Sequence, residues 1–134
     1  MKLLELWVIR ACAVEELEEE QTFLIALCDD LENPMNGTEL QSSLVGPDKQ
    51  DVELEMDTYC VSLSSGATVY GGLSSCILDG KSFTLEFELQ AAEVLGMSGL
   101  RLQLEISEEK RKLLSEGLER MFKNDARAPK LLLS

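Results

Sequence analysis

The chain has 134 residues, of which 12 are Lys or Arg and 25 are Asp or Glu, for a formal net charge of −13. A length near the common domain size of about 150 residues predicts a single domain, 1–134, able to bury roughly two thirds of its surface without a metal or disulfide staple. The acid excess argues against nucleic acid as a partner, because phosphate backbones are bound by Lys and Arg; the absence of His removes the commonest general base and metal ligand, and every Ser-His or Cys-His pair.

The chain opens on Met1 to Arg10, where Glu5 and Arg10 interrupt any signal-peptide core and no small-residue cleavage site follows. No stretch approaches the roughly 18 apolar residues of a membrane helix, so the expectation is a cytoplasmic protein with no membrane partner. Residues 3–14 and 22–28 are apolar runs of strand length, joined across Glu15, Glu16, Glu18, Glu19 and Glu20. A hairpin with a solvated acidic turn fits this pattern, and a helix over 13–20 is the alternative. From Asp29 to Asp51 turn signals crowd together (Asn33-Pro34, Asn36-Gly37, Ser42-Ser43, Gly46-Pro47), which predicts one long loop of the kind that often carries function. Asp29, Asp30 and Glu32 at its start lack the spacing and glycine of a calcium loop, so no metal site is assigned.

In the second half, alternation over Asp57–Leu63 predicts a strand, and a further strand runs from about Thr68 to Leu78. Asp79-Gly80 marks a hairpin into the alternating Phe83, Leu85, Phe87 and Leu89, which makes a three-stranded meander. Gln90 to Leu95 reads as a short helix stopped by Gly96, and Leu100 to Ile106 as another strand. Ser107 is a good N-cap, with Glu108 and Glu109 suited to the positive end of a helix dipole. Leu113, Leu114, Leu118, Met121 and Phe122 then form an apolar stripe at helical spacing. Residues 124–134, with Pro129 and Leu131 to Leu133, read as a tail, docked or loosely attached. The whole predicts an α+β fold: an antiparallel sheet of about five or six strands, a short helix, and a long C-terminal helix packed on one face.

Chemistry is scarce in these residues. Gly80-Lys81-Ser82 imitates the end of a P-loop, but the earlier glycine would fall at Ser75 and a strand pattern follows, so it reads as a turn. Cys12, Cys28, Cys60 and Cys76 are too widely spaced for a C-x-x-C motif and read as thiols in a reducing compartment. Both sequence-adjacent pairs are nevertheless 16 apart and flank a turn, so cross-strand bridging is the alternative. No cofactor is expected, and no enzyme activity. Tyr70-Gly71-Gly72 is the most distinctive local feature: paired glycines in an apolar stretch imply a bulge or a close backbone approach, and the ring beside them leaves a shelf.

Asp51 to Cys60, Val69-Tyr70-Gly71-Gly72-Leu73, Leu85 and Ala91 to Gly96 together resemble the Immunity protein 10 family, and Leu113 to Phe122, with Gly117-Leu118, resembles its closing helix. The likeness is good over about 50–123 and loose before that. It implies a small bacterial α+β protein that binds and neutralises a cognate polymorphic toxin. No catalytic residue carries over; Tyr59, Tyr70, Gly71 and Gly72 match the family pattern without an assigned role. A cationic nuclease as the toxin would suit the acid excess, and Glu15, Glu16, Glu18, Glu19, Glu20, Asp29, Asp30 and Glu32 are the candidate contacts. The alternative is an assembly module forming a homodimer or larger homo-oligomer through an uncovered sheet edge or the Leu131 to Leu133 tail.

Overall fold

The computed structural model describes residues 4–44, 58–123 and 125–134. In chain order these form β1 (Leu4–Ile9), β2 (Ala11–Leu17), β3 (Thr22–Cys28), β4 (Gly37–Ser43), β5 (Cys60–Leu63), β6 (Thr68–Tyr70), β7 (Leu73–Asp79), β8 (Ser82–Phe87), α1 (Leu89–Leu95), β9 (Gly99–Leu104), α2 (Glu108–Phe122) and β10 (Lys130–Leu133). The strands make two five-stranded sheets, a first in the order β1-β9-β8-β7-β10 and a second in the order β2-β3-β4-β5-β6. The single sheet of five or six strands expected from the sequence is therefore corrected to ten strands in two sheets among the described residues.

Two apolar runs that look continuous in sequence each divide between the sheets. Residues 3–14 break at Arg10, whose N–H donates to the Cys28 carbonyl at 3.0 Å while its guanidinium pairs with Glu105 at 3.2 Å. Before the break β1 lies parallel to β9; after it β2 lies antiparallel to β3. Likewise 68–78 breaks at Gly71-Gly72, leaving β6 in the second sheet and β7 in the first. The expected meander is thus split, with β5 and β6 on one side of the break and β7 and β8 on the other.

The long loop is also corrected, since β4 lies inside it and pairs with β3 over all seven of its residues. Thr38 and Leu40 point into the core while Glu39 is exposed, an alternation hidden in sequence by the flanking turn residues. The helical alternative for 13–20 gives way to β2 and a turn at 18–21, where Gln21 takes a left-handed φ of 52°. Residues 45–57, which hold the rest of the expected loop and Asp57, the first residue of the expected strand, lie outside the described residues. The C-terminal tail forms β10, which runs parallel to β7 from Lys130 opposite Ser75 to Leu133 opposite Leu78. With β1 and β9, this makes two parallel pairings where an antiparallel sheet was expected.

The helices start and stop where the sequence places their signals. Ser107 Oγ accepts the Lys110 N–H at 3.1 Å, and Glu108 and Glu109 occupy the first turn of α2. Gly96 closes α1 in the left-handed conformation at φ 81°, with its N–H on the Ala92 carbonyl. The core is aliphatic, as the low aromatic content requires: Ile9, Ile25, Leu27, Leu40, Leu73, Leu78, Leu85, Leu100, Leu102 and Leu104 are fully buried with Tyr59 and Phe83. α2 contacts β2 and β3 on their buried face, where Gly117 backs onto Val14, Ile25 and Phe23.

Candidate functional site

The residues of the family pattern meet where the chain passes from the second sheet to the first. Tyr59 is fully buried, and its ring meets Phe122 of α2 edge-on at a centroid distance of 5.0 Å. Its hydroxyl oxygen accepts the Leu73 N–H at 2.9 Å, and its carbonyl accepts the Gly71 N–H at 2.7 Å. Burial pushes the phenol well above its ordinary pKa, so it stays neutral. Asp125 completes the junction: its carboxylate accepts from the Thr58 hydroxyl at 2.7 and 2.9 Å and from the Arg127 N–H at 2.8 Å.

Gly72 is required here for two reasons. Its φ is +90°, and a Cβ would lie 2.7 Å from the Ala91 Cβ, so α1 can approach only a residue without a side chain. Gly71 is also left-handed, at φ +68°, but has ordinary space around it. Tyr70 projects outward, 44% exposed, beside a cleft of about 600 Å³ lined by Gly71, Gly72, Ala91, Val94 and Arg127. The shelf inferred from sequence exists, while Tyr59 and Gly72 serve to hold the two sheets and α1 together.

The acidic candidates occupy a different place. Glu18, Glu19 and Glu20 form the turn joining β2 and β3, whereas Asp29, Asp30 and Glu32 follow β3 at the other end of the same strand pair. The seven-residue length of β3 separates the two groups by about 20 Å at 3.4 Å per residue. They are two rims of one sheet rather than one patch. Within them the roles differ. Glu16 is held by Arg120 at 2.6 Å, and Arg120 also lies over the Phe23 ring at 4.4 Å, so Glu16 fastens α2 to the sheet. Asp29 Oδ1 accepts the Met35 N–H at 3.0 Å and Asp30 Oδ1 accepts the Glu32 N–H at 3.0 Å, which shapes the 29–36 loop. Those backbone bonds, the Met35 one foremost, hold the Asp29 carboxyl below its ordinary pKa.

Between the rims lies the outer face of the second sheet. Both described helices meet that sheet through its inward side chains, α2 at Val14, Phe23 and Ile25, and α1 near Val69. Strand alternation therefore turns Ala13, Ala26, Glu39 and Ser62 outward in one cross-strand row, and Glu15, Leu24, Gln41, Cys60 and Tyr70 in the next. At its Asp29 end this face dips into a hollow of about 980 Å³, whose lining includes Ala13, Ala26, Cys28, Leu31, Glu39 and Ser62. Glu39, Leu31 and Met35 were not singled out from sequence. A charge count finds Glu39, since residues 11–44 hold nine acidic and no basic side chains, whereas nothing in the sequence pattern marks Leu31 or Met35.

All four thiols are free. Cys12 and Cys28 are one residue out of register and so point to opposite faces, which excludes the cross-strand bridge. Cys60 lies on the outer face of one sheet and Cys76 in the core of the other. Burial raises Cys12 to about 11 against a partial counter-effect from Lys110, and raises Cys76 further, so neither is a reactive thiolate. Among the described residues, no helix is long and apolar enough to cross a membrane, and no cluster of His, Cys, Asp and Glu is placed to hold a metal ion.

The family model described as Immunity protein 10 matches residues 8–112. The match takes in β2 to β4, where sequence resemblance was loose, and ends inside α2, before the helix segment that resembled the family's closing helix. No curated protein matches the chain.

Proposed function

The chain belongs to the Immunity protein 10 family, and from that premise we propose that it binds and neutralises a cognate protein toxin in the cytoplasm without catalysing a reaction itself. The family match carries this reading. Immunity families are generally not enzymatic, and the neutral, buried state of Tyr59, Cys12 and Cys76 suits a binding protein. The proposed toxin is a basic nuclease from a polymorphic toxin system, because a net charge of −13 speeds encounter with a cationic surface. Glu15, Glu18, Glu19, Glu20, Asp29, Asp30 and Glu32 are the proposed steering groups, with Glu16 given instead to the contact with α2.

The test is capture of partners from the source cell by the tagged full chain at low and high salt, followed by co-expression of the captured toxin with and without this protein. One stoichiometric partner whose toxicity is abolished by co-expression is the expected outcome. A captured protein that is harmless to cells, or a toxin left active, overturns the reading. One observation favours a second reading, self-assembly. β1 pairs only with β9 among the described strands, and Leu6 on this sheet edge is 70% exposed. Light scattering over a range of concentrations decides it, since a monomer at every concentration removes self-assembly.

A further inference from the structure

The outer face of the second sheet is unusual in three respects that point to one kind of occupant. First, it is short of cover. Its outward residues are mostly small or apolar (Ala11, Ala13, Leu24, Ala26, Cys28 and Cys60), and none of the described helices lies over them. Second, it is beside a loop that exposes apolar side chains while being tied down. In the 29–36 loop Leu31 is 80% and Met35 75% exposed. Yet Asp29 and Asp30 hold its backbone, and Ser64 Oγ bonds both the Met35 carbonyl and the Gly37 N–H at 3.2 Å. A disordered loop would hide or average such side chains; a braced one presents them with little ordering entropy left to lose on binding. Third, none of the five strands carries a Lys or Arg, while Glu15 and Glu39 stand on the face and acidic rims close both ends. The hollow itself is lined by two acids, Glu39 and Glu105, and two cations, Arg10, already paired with Glu105, and Lys110 at the start of α2, so the acid excess lies on the strands and the rims around it.

From these features we infer that the outer face of β2 to β5, with Leu31 as its lip, is a docking surface for a cationic polypeptide segment that seats an aliphatic side chain in the hollow between flanking Arg or Lys residues. Small floor residues leave the room, the exposed Leu31 supplies apolar contact, and Glu15, Glu39 and the rims supply the complementary charge. A second copy of this chain is disfavoured as the occupant, since two such faces would bring like charges together. The inference rests on the immunity reading only in taking the segment to belong to the toxin.

The test is titration of the ¹⁵N-labelled full chain with three synthetic peptides: alternating arginine and leucine, arginine and serine, and glutamate and leucine. Shifts centred on Ala13, Ala26, Cys28, Glu39 and Ser62 are expected with the arginine–leucine peptide, at least tenfold weaker with either of the others. Ala26→Arg fills the hollow and should weaken binding at least tenfold; Gln103→Arg, which adds the same charge to the other sheet, should leave it within about twofold. Glu39→Gln, which keeps the shape, should weaken it two- to fivefold and serves should Ala26→Arg fail to fold. Shifts elsewhere, equal binding of the arginine–serine peptide, equal loss in Gln103→Arg, or no shifts at all would overturn the inference. So would concentration-dependent shifts on this face without peptide. Toxin capture with none of these peptide effects leaves the immunity reading standing and removes the surface; the peptide effects without a toxin do the reverse.

Discussion

The Tyr59 junction and the outer face of the second sheet lie in one small protein and obey opposite rules. At the junction polar groups are paired with protein partners, the Tyr59 ring is sealed, and Gly72 leaves no room even for a methyl group. On the outer face the side chains are small, half-buried or acidic, and its adjoining loop exposes two large apolar residues. Of the residues that resemble the family pattern, Tyr59 and Gly72 hold the sheets in place, while Tyr70 projects outward. The outer face of the second sheet is built instead from residues that draw no attention singly.

That contrast breaks most sharply at Gly72. Gly72→Ala combines a left-handed φ with a 2.7 Å contact to Ala91 and should cost about 3 kcal/mol. Gly71→Ala, left-handed but with its nearest neighbour at 3.4 Å, should cost about 1 kcal/mol. Chemical denaturation of the two variants measures the difference, and equal losses would mean that the approach of α1 does not matter. Tyr59→Phe leaves the buried Leu73 N–H without its acceptor and should destabilise by about 2 kcal/mol, read from the same denaturation midpoint.

Alkaline pH acts on the same region. Cys12 moves from the ordinary 9.0 to about 11 on folding, and Cys76 and Tyr59 are also raised. Above pH 9 the unfolded chain loses protons that the folded chain keeps, so this stability is complete below pH 9 and is lost as pH rises toward 11 and beyond. A loss of about 1 kcal/mol from Cys12 alone by pH 10 is expected. Thermal melts at pH 8 and pH 10 check it, and Cys12→Ala should flatten the slope. The smallest effect on stability belongs to the outer face, where Glu39→Gln and a triple Gln variant of Glu18, Glu19 and Glu20 should each stay within about 0.5 kcal/mol of the parent. Those variants should instead slow association with a cationic partner and flatten its salt dependence, measured by stopped flow at several ionic strengths. A stability loss there as large as at Tyr59 would erase the distinction between scaffold and surface.

Local signals were legible wherever a short stretch carries its own reason. Ser107 announces α2, Gly96 ends α1, Asp79-Gly80 turns β7 into β8, and the alternation of Tyr59, Val61 and Leu63 places those three side chains in the core. The pattern of β4 was masked because Asn36-Gly37 and Ser42-Ser43 are turn residues that also sit comfortably at strand ends. The acidic stretches were visible as charge, but their separation to opposite ends of β3 was not.

What the sequence determined by itself, then, was the class of structure, the polarity of most elements, the acidic character and the family, because propensity, capping, alternation and charge act over a few residues. Only the tertiary structure decided that Arg10 and Gly71-Gly72 are crossings between two sheets, that Leu131 and Leu133 complete the first sheet beside β7, and that the two acidic stretches lie at opposite ends of the second. Periodicity records which way a side chain points within its strand. It carries no information about which strand lies alongside, because partner choice depends on burial summed over residues far apart in the chain.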